Sequence, residues 1–89
     1  MRDQTEKMIS VKVLFFASIR SIIGLKEIEV ELTAGSNVRD LKKTITEMYP
    51  HAGPTIDSML ASVNRIFSDD DTCLNNQAEI AFFPHITGG

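Results

Sequence analysis

The sequence contains no tryptophan, a single cysteine and two histidines among its 89 residues. One cysteine, Cys73, cannot form an intramolecular disulfide, and this fits a reducing compartment. The histidines, His51 and His85, do not form a metal-ligand spacing with it. Phosphate-binding glycine loops and nucleophile elbows are also missing. We therefore expect no metal, no bound cofactor and no catalysis by this chain alone.

The distribution of charged and apolar residues argues against a nucleic-acid-binding protein and against a membrane protein. The net charge is -3, from nine basic and twelve acidic residues, and the basic ones form no stripe with interleaved aromatics. No apolar run approaches the ~20 residues of a membrane span. The charged N-terminus lacks the apolar core of a signal peptide. We predict a cytoplasmic protein that binds neither nucleic acid nor membrane.

Two strands are predicted near the start of the domain. Residues 1–10 are polar without periodicity, and we interpret them as a disordered extension. Val11–Ala17 is rich in β-branched and aromatic residues, which favours a strand. Glu27–Leu32 alternates acidic and apolar residues, which indicates a strand with one wet face. Together they predict an antiparallel hairpin around a loop at 18–26 that contains Arg20.

One main helix follows the hairpin. Asn37 can cap it, and apolar residues then recur at spacings of three, four and three. These residues are Val38, Leu41, Ile45 and Met48. The opposite face, which includes Lys42 and Lys43, is predicted to face water. Pro50 and Gly53-Pro54 end the helix.

The remainder of the domain reads as short strands joined by turns. Leu60–Asn64 and Arg65–Phe67 predict a pair of short strands, and Ala78–Phe83 predicts the last strand. Asp69–Asp71 lacks the alternating ligands of a calcium loop, so we interpret it as a solvated turn. Cys73 is predicted to be a small core residue.

The order of these elements is strand, strand, helix, strand, short strand, strand. It predicts an α+β fold over residues 11–84, the β-grasp or ubiquitin-like roll, with a mixed four- to five-stranded sheet packed on one main helix. In this roll the final strand runs parallel to the first in the middle of the sheet, through a right-handed connection. Residues 85–89 are then a flexible tail that leaves from the centre of the sheet.

The tail ends in Gly88 and Gly89, directly after an amphipathic strand. Glycine lacks Cβ, so the backbone of a partner can close around both residues. The reactive group that they present is the terminal carboxylate of Gly89. Such a slim tip suits a narrow tunnel in a partner protein.

Several motifs together resemble a known family. They are Val11–Ala17 with Arg20 and Gly24, Tyr49-Pro50, Val63-Asn64, Asp71-Thr72 before Leu74, and Glu79–Pro84 before Ile86–Gly89. From Val11 to Gly89 the chain is similar to the small subunit of molybdopterin synthase, the MoaD type of the MoaD/ThiS sulfur carriers. Two departures are His85, where a second proline is usual, and Asn76–Glu79, where an acidic-Gly-acidic turn is usual. We expect Asn76 to adopt this turn, because asparagine tolerates a positive φ.

The resemblance implies a sulfur carrier in molybdenum cofactor biosynthesis. A ubiquitin-activating-like adenylyltransferase would use ATP to adenylate the Gly89 carboxylate, which is then converted to a thiocarboxylate. The carrier would dock on the large, MoaE-type subunit and donate sulfur to cyclic pyranopterin monophosphate. Gly89 would bear the sulfur, and Gly88 would keep the tail slim.

The same resemblance implies a partner-binding surface. Phe16, Phe67 and Phe83 correspond to its apolar part, and Arg20 could add an ion pair at its rim. Three residues of the tail region belong to it as well: Pro84, Ile86 and Thr87. The strand pattern supports exposure of aromatics, because Phe16 and Phe83 lie on the faces opposite to their neighbours Phe15 and Phe82.

Other functions use the same features. A thiamine-type sulfur carrier and a ubiquitin-like protein modifier would both need the Gly-Gly tail. A plain binding module would need only the exposed phenylalanines. Charging of Gly89 with sulfur, conjugation to other proteins, and deletion of the tail separate these hypotheses.

Overall fold

The computed structural model describes residues 7–84. Within that range the chain forms five strands, three short or medium α-helices and one 3₁₀ turn. In chain order these are β1 (Met8–Phe15), α1 (Ala17–Ile23), β2 (Glu27–Thr33), α2 (Val38–Met48), the 3₁₀ turn (Pro50–Ala52), α3 (Gly53–Asp57), β3 (Leu60–Val63), β4 (Ile66–Ser68) and β5 (Glu79–Phe83).

The five strands form one mixed sheet with the order β2-β1-β5-β3-β4. Strand β1 is antiparallel to β2 and parallel to β5, and β3 is antiparallel to both β4 and β5. The predicted α+β roll with a central, parallel final strand is therefore confirmed. The last strand lies between β1 and β3, so the chain leaves the sheet from its middle.

One face of the sheet packs against the helices and forms the core. Alternate residues of the two central strands are fully buried, with Val13 opposite Ile80 and Phe15 opposite Phe82. The apolar face of α2 contributes Val38, Leu41 and Ile45 to the same cluster. Because side chains alternate along a strand, the residues between these core positions point to the other face.

Helix α2 begins as its sequence predicts. The Asn37 side chain accepts a hydrogen bond from the Asp40 N–H at 2.9 Å, and the Asp40 carboxylate accepts one from the Asn37 N–H at 3.0 Å. This reciprocal capping box satisfies two backbone donors that a helix start would otherwise leave unpaired. The helix ends at Met48, immediately before Tyr49-Pro50.

The predicted start of the first strand is wrong by three residues. Met8, Ile9 and Ser10 were assigned to a disordered extension, but they belong to β1 and pair with β2. The reason is that β2 continues to Thr33 and offers ladder partners for them, and Ile9 packs against the core. Residues 1–6 of the predicted extension lie outside the described residues.

The predicted loop at 18–26 is also wrong, because Ala17–Ile23 forms helix α1. Ile19 is fully buried, and Ile22 and Ile23 pack against the core. Gly24 ends the helix with a φ of 86°, and its N–H donates to the Arg20 carbonyl at 2.8 Å. This left-handed backbone conformation favours glycine, because glycine has no Cβ to clash with the backbone. Two turns of helix are too few for the periodicity to separate helix from loop.

Three smaller expectations differ from the structure. Lys42 was placed on the wet face of α2, but it is 6% exposed. Cys73 was placed in the core, but it is exposed, whereas its neighbour Leu74 is buried. In the turn before β5, Gln77 adopts the positive φ of 69°, and Asn76 instead accepts a hydrogen bond from the Ser10 N–H through its side chain.

Gly53, at the start of α3, packs closely against α2. A Cβ added to Gly53 would lie 2.7 Å from Cγ2 of Thr46, whose hydroxyl donates to the Lys42 carbonyl at 2.9 Å. We expect Gly53→Ala to lower the free energy of unfolding by about 1–3 kcal/mol, because the β-branched neighbour cannot easily rotate away. Urea denaturation checks this.

The matched control for Gly53→Ala is Thr46→Ser, which removes Cγ2 and keeps the hydroxyl. In the double variant Gly53→Ala/Thr46→Ser we expect most of the loss to be recovered, because the two residues touch and should not behave additively. Additive losses in the two single variants and the double variant would contradict this contact as the cause.

Candidate functional site

The candidate site lies where the chain leaves strand β5. This strand ends at Phe83, and the half-buried Pro84 follows it. The predicted tail residues Ile86, Thr87, Gly88 and Gly89 lie outside the described residues, as does the predicted flexibility of 85–89. Their roles therefore stay predictions. The structure places the base of the tail at the middle of the sheet, which is held on both sides by ladder partners.

The open face of the sheet presents an apolar patch at this point. Phe15 and Phe82 are a buried ladder pair; Phe16 comes directly after Phe15 at the end of β1, and Phe83 comes directly after Phe82 in β5. Leu60 is directly opposite Phe83 in the ladder between β3 and β5. The Phe67 ring contacts the Phe83 ring edge-on, with centroids 5.4 Å apart and planes at 69°. We call these four residues, Phe16, Leu60, Phe67 and Phe83, the docking face.

Two members of the docking face are unusually exposed for large apolar side chains, and Phe83 is half-buried. Phe67 is 74% exposed and Phe16 is 47% exposed, whereas Phe15 and Phe82 are fully buried. The predicted opposition of Phe16 to Phe15 and of Phe83 to Phe82 is therefore confirmed. A contiguous exposed apolar patch beside polar surroundings marks an interaction surface.

Leu60 is the member of the docking face that the sequence reasoning missed. Its local pattern, Leu60-Ala61-Ser62-Val63, is apolar at too many positions to show which face each residue takes. The register with β5 decides the question, because Leu60 pairs with Phe83 and the buried Ala61 pairs with Phe82. The sequence predicted that Phe83 points to the open face. With the register between β3 and β5 known, that prediction would also have placed Leu60 on the open face.

The first residue of helix α1, directly after Phe16, has a strained backbone. Ala17 has a φ of 55°, in the left-handed region where a residue with Cβ costs roughly 1 kcal/mol. Phe16 itself is extended, so its side chain keeps the alternation of β1 and stays on the open face. Arg20 is exposed on helix α1, four residues after Phe16 in the chain.

Acidic side chains border the docking face on the side of edge strand β2. Register pairs place Glu27 opposite Leu14 and Glu29 opposite Lys12, so these carboxylates share the open face with the apolar patch. Glu31 follows on the same face, and all three are exposed. Lys12 also lies beside Glu79 of β5. The open face therefore combines an apolar patch near the tail with acidic side chains along the β2 edge.

The acidic residues Asp69–Asp71 have separate partners within the protein. The Asp69 carboxylate accepts a hydrogen bond from the Asp71 N–H at 3.0 Å. Oδ1 of Asp70 lies 3.1 Å from Nζ of Lys42, and Oδ1 of Asp71 lies 2.7 Å from Nη1 of Arg39. The hydrogen bond and charge of Asp71 raise the pKa of Arg39 above its ordinary value. Within residues 7–84, no group of three or more metal-ligating side chains comes together.

Within the same range, no helix is long and apolar enough to cross a membrane. The structure thus offers a small domain with one covered sheet face, one open face, and a tail that starts beside the open face's apolar end. These features define a β-grasp domain whose last strand ends beside an exposed apolar patch.

Comparison with known proteins identifies the family. The sequence pattern of the ThiS family matches residues 13–89, and the chain belongs to that family. A molybdopterin synthase sulfur carrier subunit from Caenorhabditis briggsae is 33% identical over 84 residues, which cover 92% of this chain and all of that protein. The predicted resemblance to the MoaD/ThiS sulfur carriers is confirmed.

Two solved structures illustrate the fold. A protein from Pyrococcus furiosus, described as subunit 1 of a molybdopterin converting factor, is 28% identical with a TM-score of 0.79, over 88% of this chain and 99% of that one. A chain from the complex of subunits 1 and 2 of a molybdopterin-converting factor from Helicobacter pylori is 18% identical with a TM-score of 0.65. It covers 91% of this chain and all of that one.

Proposed function

We propose that this chain is the sulfur carrier subunit of a molybdopterin synthase. The observation that carries the proposal is the docking face beside the exit of a Gly-Gly tail, in a chain whose curated relative of nearly equal length has that function. Sulfur carriage needs a partner-binding surface and a mobile reactive end on one small domain. This protein combines the surface with a terminal carboxylate and requires no catalytic side chain.

The chemistry takes place at the carboxylate of Gly89. One carboxylate oxygen attacks the α-phosphorus of ATP and pyrophosphate leaves, which gives an acyl-adenylate. Hydrosulfide supplied by a donor then attacks the carbonyl carbon, AMP leaves, and loss of the sulfur-bound proton gives the thiocarboxylate. The adenylate is needed because a free carboxylate is a poor electrophile. ATP is used by the activating partner, so the carrier itself needs no bound cofactor.

The partner for the second half of the reaction is a large synthase subunit. The Helicobacter pylori complex of subunits 1 and 2 supports this pairing, because one of its chains has the same fold as this protein. The docking face would bind that subunit while residues 85–89 enter its active site. Holding the thiocarboxylate near cyclic pyranopterin monophosphate turns an encounter in solution into a local step, which raises the effective concentration of sulfur.

Recognition would depend on the side chains around the tail and not on its tip. Phe16, Phe67 and Phe83 would fill apolar pockets of the partner, and Arg20 would orient the complex by an ion pair at the rim. Pro84, Ile86 and Thr87 would contact the entrance of the tunnel. The adenylyltransferase would use the same tail, and both reactions would take place in the cytoplasm.

The test is mass spectrometry of the intact protein after incubation with its adenylyltransferase, ATP and a sulfur donor. We expect one oxygen to be replaced by sulfur, at the C-terminal glycine. A reaction without ATP is the control and should leave the mass unchanged. An unchanged mass in the full reaction, with an enzyme that charges another carrier, would reject the proposal.

The same charged protein separates the two alternatives that use the tail. Incubation with cyclic pyranopterin monophosphate and the large subunit should consume the thiocarboxylate. Incubation with the acceptor of thiamine synthesis should not. A protein modifier would instead form covalent conjugates with lysines of other proteins, visible as a ladder that depends on Gly88 and Gly89.

A further inference from the structure

The β3–β4 hairpin supplies half of the docking face, but its second strand, β4, contributes no residue to the buried core. Leu60 lies at its start and Phe67 on its second strand. Strand β4 has three residues at the edge of the sheet, and its two apolar side chains, Ile66 and Phe67, are 69% and 74% exposed. Burial therefore does little to fix β4, which has a ladder partner, β3, on one side only.

The turn of this hairpin does not fix it strongly either. Asn64 and Arg65 both have positive φ values, 50° and 71°, which is the two-residue turn that suits a twisted hairpin. Glycine is preferred at the second position, and arginine is strained there. Asn64 is tied to the start of β5 by hydrogen bonds with Glu79, so β3 is supported, but these bonds do not reach β4.

Lys42 of helix α2 contacts both ends of the hairpin. Its ammonium group donates to the Met59 carbonyl at 3.0 Å, immediately before Leu60, and lies 3.4 Å from the Asp57 carbonyl. It also lies 3.1 Å from Oδ1 of Asp70, two residues after β4. An ammonium group has three N–H donors, and these three acceptors can satisfy all of them.

Burial of the Lys42 ammonium group costs free energy of desolvation, which an apolar side chain at this position would not cost. The Lys42 side chain is 7% exposed, and removing an ammonium group from water is expensive unless its partners are well placed. The backbone of the following loop is also tied to α2, because the N–H groups of Val38 and Arg39 donate to the carbonyls of Thr72 and Asp70. The buried charge thus joins the entrance and the exit of the hairpin to α2, the longest helix among residues 7–84.

We propose that Lys42 is a positioning residue, which holds the β3–β4 hairpin so that Leu60 and Phe67 face a partner in a fixed arrangement beside Phe83. This role rests on the proposed function, because that function makes the docking face a binding surface. Lys42 does not touch the partner. It keeps the docking face ordered before binding. The face therefore loses less conformational entropy when the complex forms.

The experiment compares Lys42→Met with Lys43→Met in the full chain. Methionine keeps the length and the apolar stem of lysine at both positions, and Lys43 is the exposed neighbour in the same helix. The first readout is amide hydrogen exchange followed by NMR. We expect exchange at 66–68 to rise about tenfold or more in Lys42→Met, relative to β1 of the same variant. Lys43→Met should match the unchanged protein.

The second readout is the dissociation constant for the purified large synthase subunit. We expect it to rise about tenfold in Lys42→Met and to stay unchanged in Lys43→Met. If Lys42→Met does not fold, Asp70→Asn replaces it; this variant removes the charge of the exposed partner, and a smaller change of the same kind is expected in both readouts.

The outcomes separate this role from the proposed function. Exchange that rises equally in all strands, or an affinity equal to that of Lys43→Met, would show that Lys42 supports only global stability and would overturn the proposal. If the unchanged protein does not bind the large subunit, the proposed function fails. The exchange data then still decide whether Lys42 fixes the hairpin.

Discussion

Deletion of Gly88 and Gly89 is expected to abolish sulfur transfer while leaving binding to the large subunit largely intact. The deletion moves the terminal carboxylate to Thr87, a β-branched residue, and shortens the tail by roughly 7 Å. The carboxylate would then be too wide and too far back for the adenylating site and for the synthase active site. Because chemistry at a positioned group depends on placement within about an ångström, we expect a loss of at least about 100-fold.

The measurement is product formation by the reconstituted synthase in a single turnover, with the dissociation constant determined in parallel. Removal of residues 1–6 is the matched truncation at the opposite end, where no predicted docking or tail residue lies, and it should leave both quantities unchanged. Undiminished transfer after the loss of both glycines would show that the tail is inert. The protein would then be a plain binding module.

The sequence was sufficient for the features that depend on local alternation. The acidic–apolar alternation of β2, the apolar face of α2 and the opposite directions of Phe15 and Phe16 all follow from the periods of strand and helix. The order of these elements then determined which strand lies at the centre. The base of the tail could therefore be placed before the structure was known.

What the sequence did not reveal depends on contacts between distant segments. Lys42 follows the buried Leu41 on α2. Its ammonium group can be buried only because it contacts Met59 and Asp70, which are 17 and 28 residues away along the chain. A lysine at the border of an apolar helix face extends into water unless another segment of the fold brings hydrogen-bond acceptors to its ammonium group. The helix sequence alone does not show whether such a segment is present. Leu60 was missed for a related reason, since its face is set by the register with β5.

Phe67→Asp is expected to have the largest effect of any single substitution on the docking face. The ring of Phe67 is largely exposed and contacts the Phe83 ring edge-on, so it extends the apolar surface around Phe83. Aromatic anchors of this kind supply much of the energy of an interface, and a carboxylate in their place would have to be desolvated. We expect the affinity for the large subunit to fall on the order of 100-fold.

The same substitution should change the fold little. Loss of the contact between the rings costs about 1 kcal/mol, and the rest of the side chain is already in water. Binding by calorimetry and unfolding in urea, measured on the same preparation, distinguish a lost contact from a lost fold. A large fall in stability would assign Phe67 to the core and remove it from the docking face.

Ile66→Asp is the matched control, because the two residues are neighbours in the same edge strand and are exposed to nearly the same degree. They differ in direction: Ile66 pairs with Val63, on the covered side of the sheet, whereas Phe67 pairs with Ser62, on the open side. A new charge at Ile66 adds the same polarity and the same net charge one residue away, yet it should leave binding within about threefold. Equal losses in the two variants would mean that charge at the edge strand, and not the direction of the aromatic ring, governs docking.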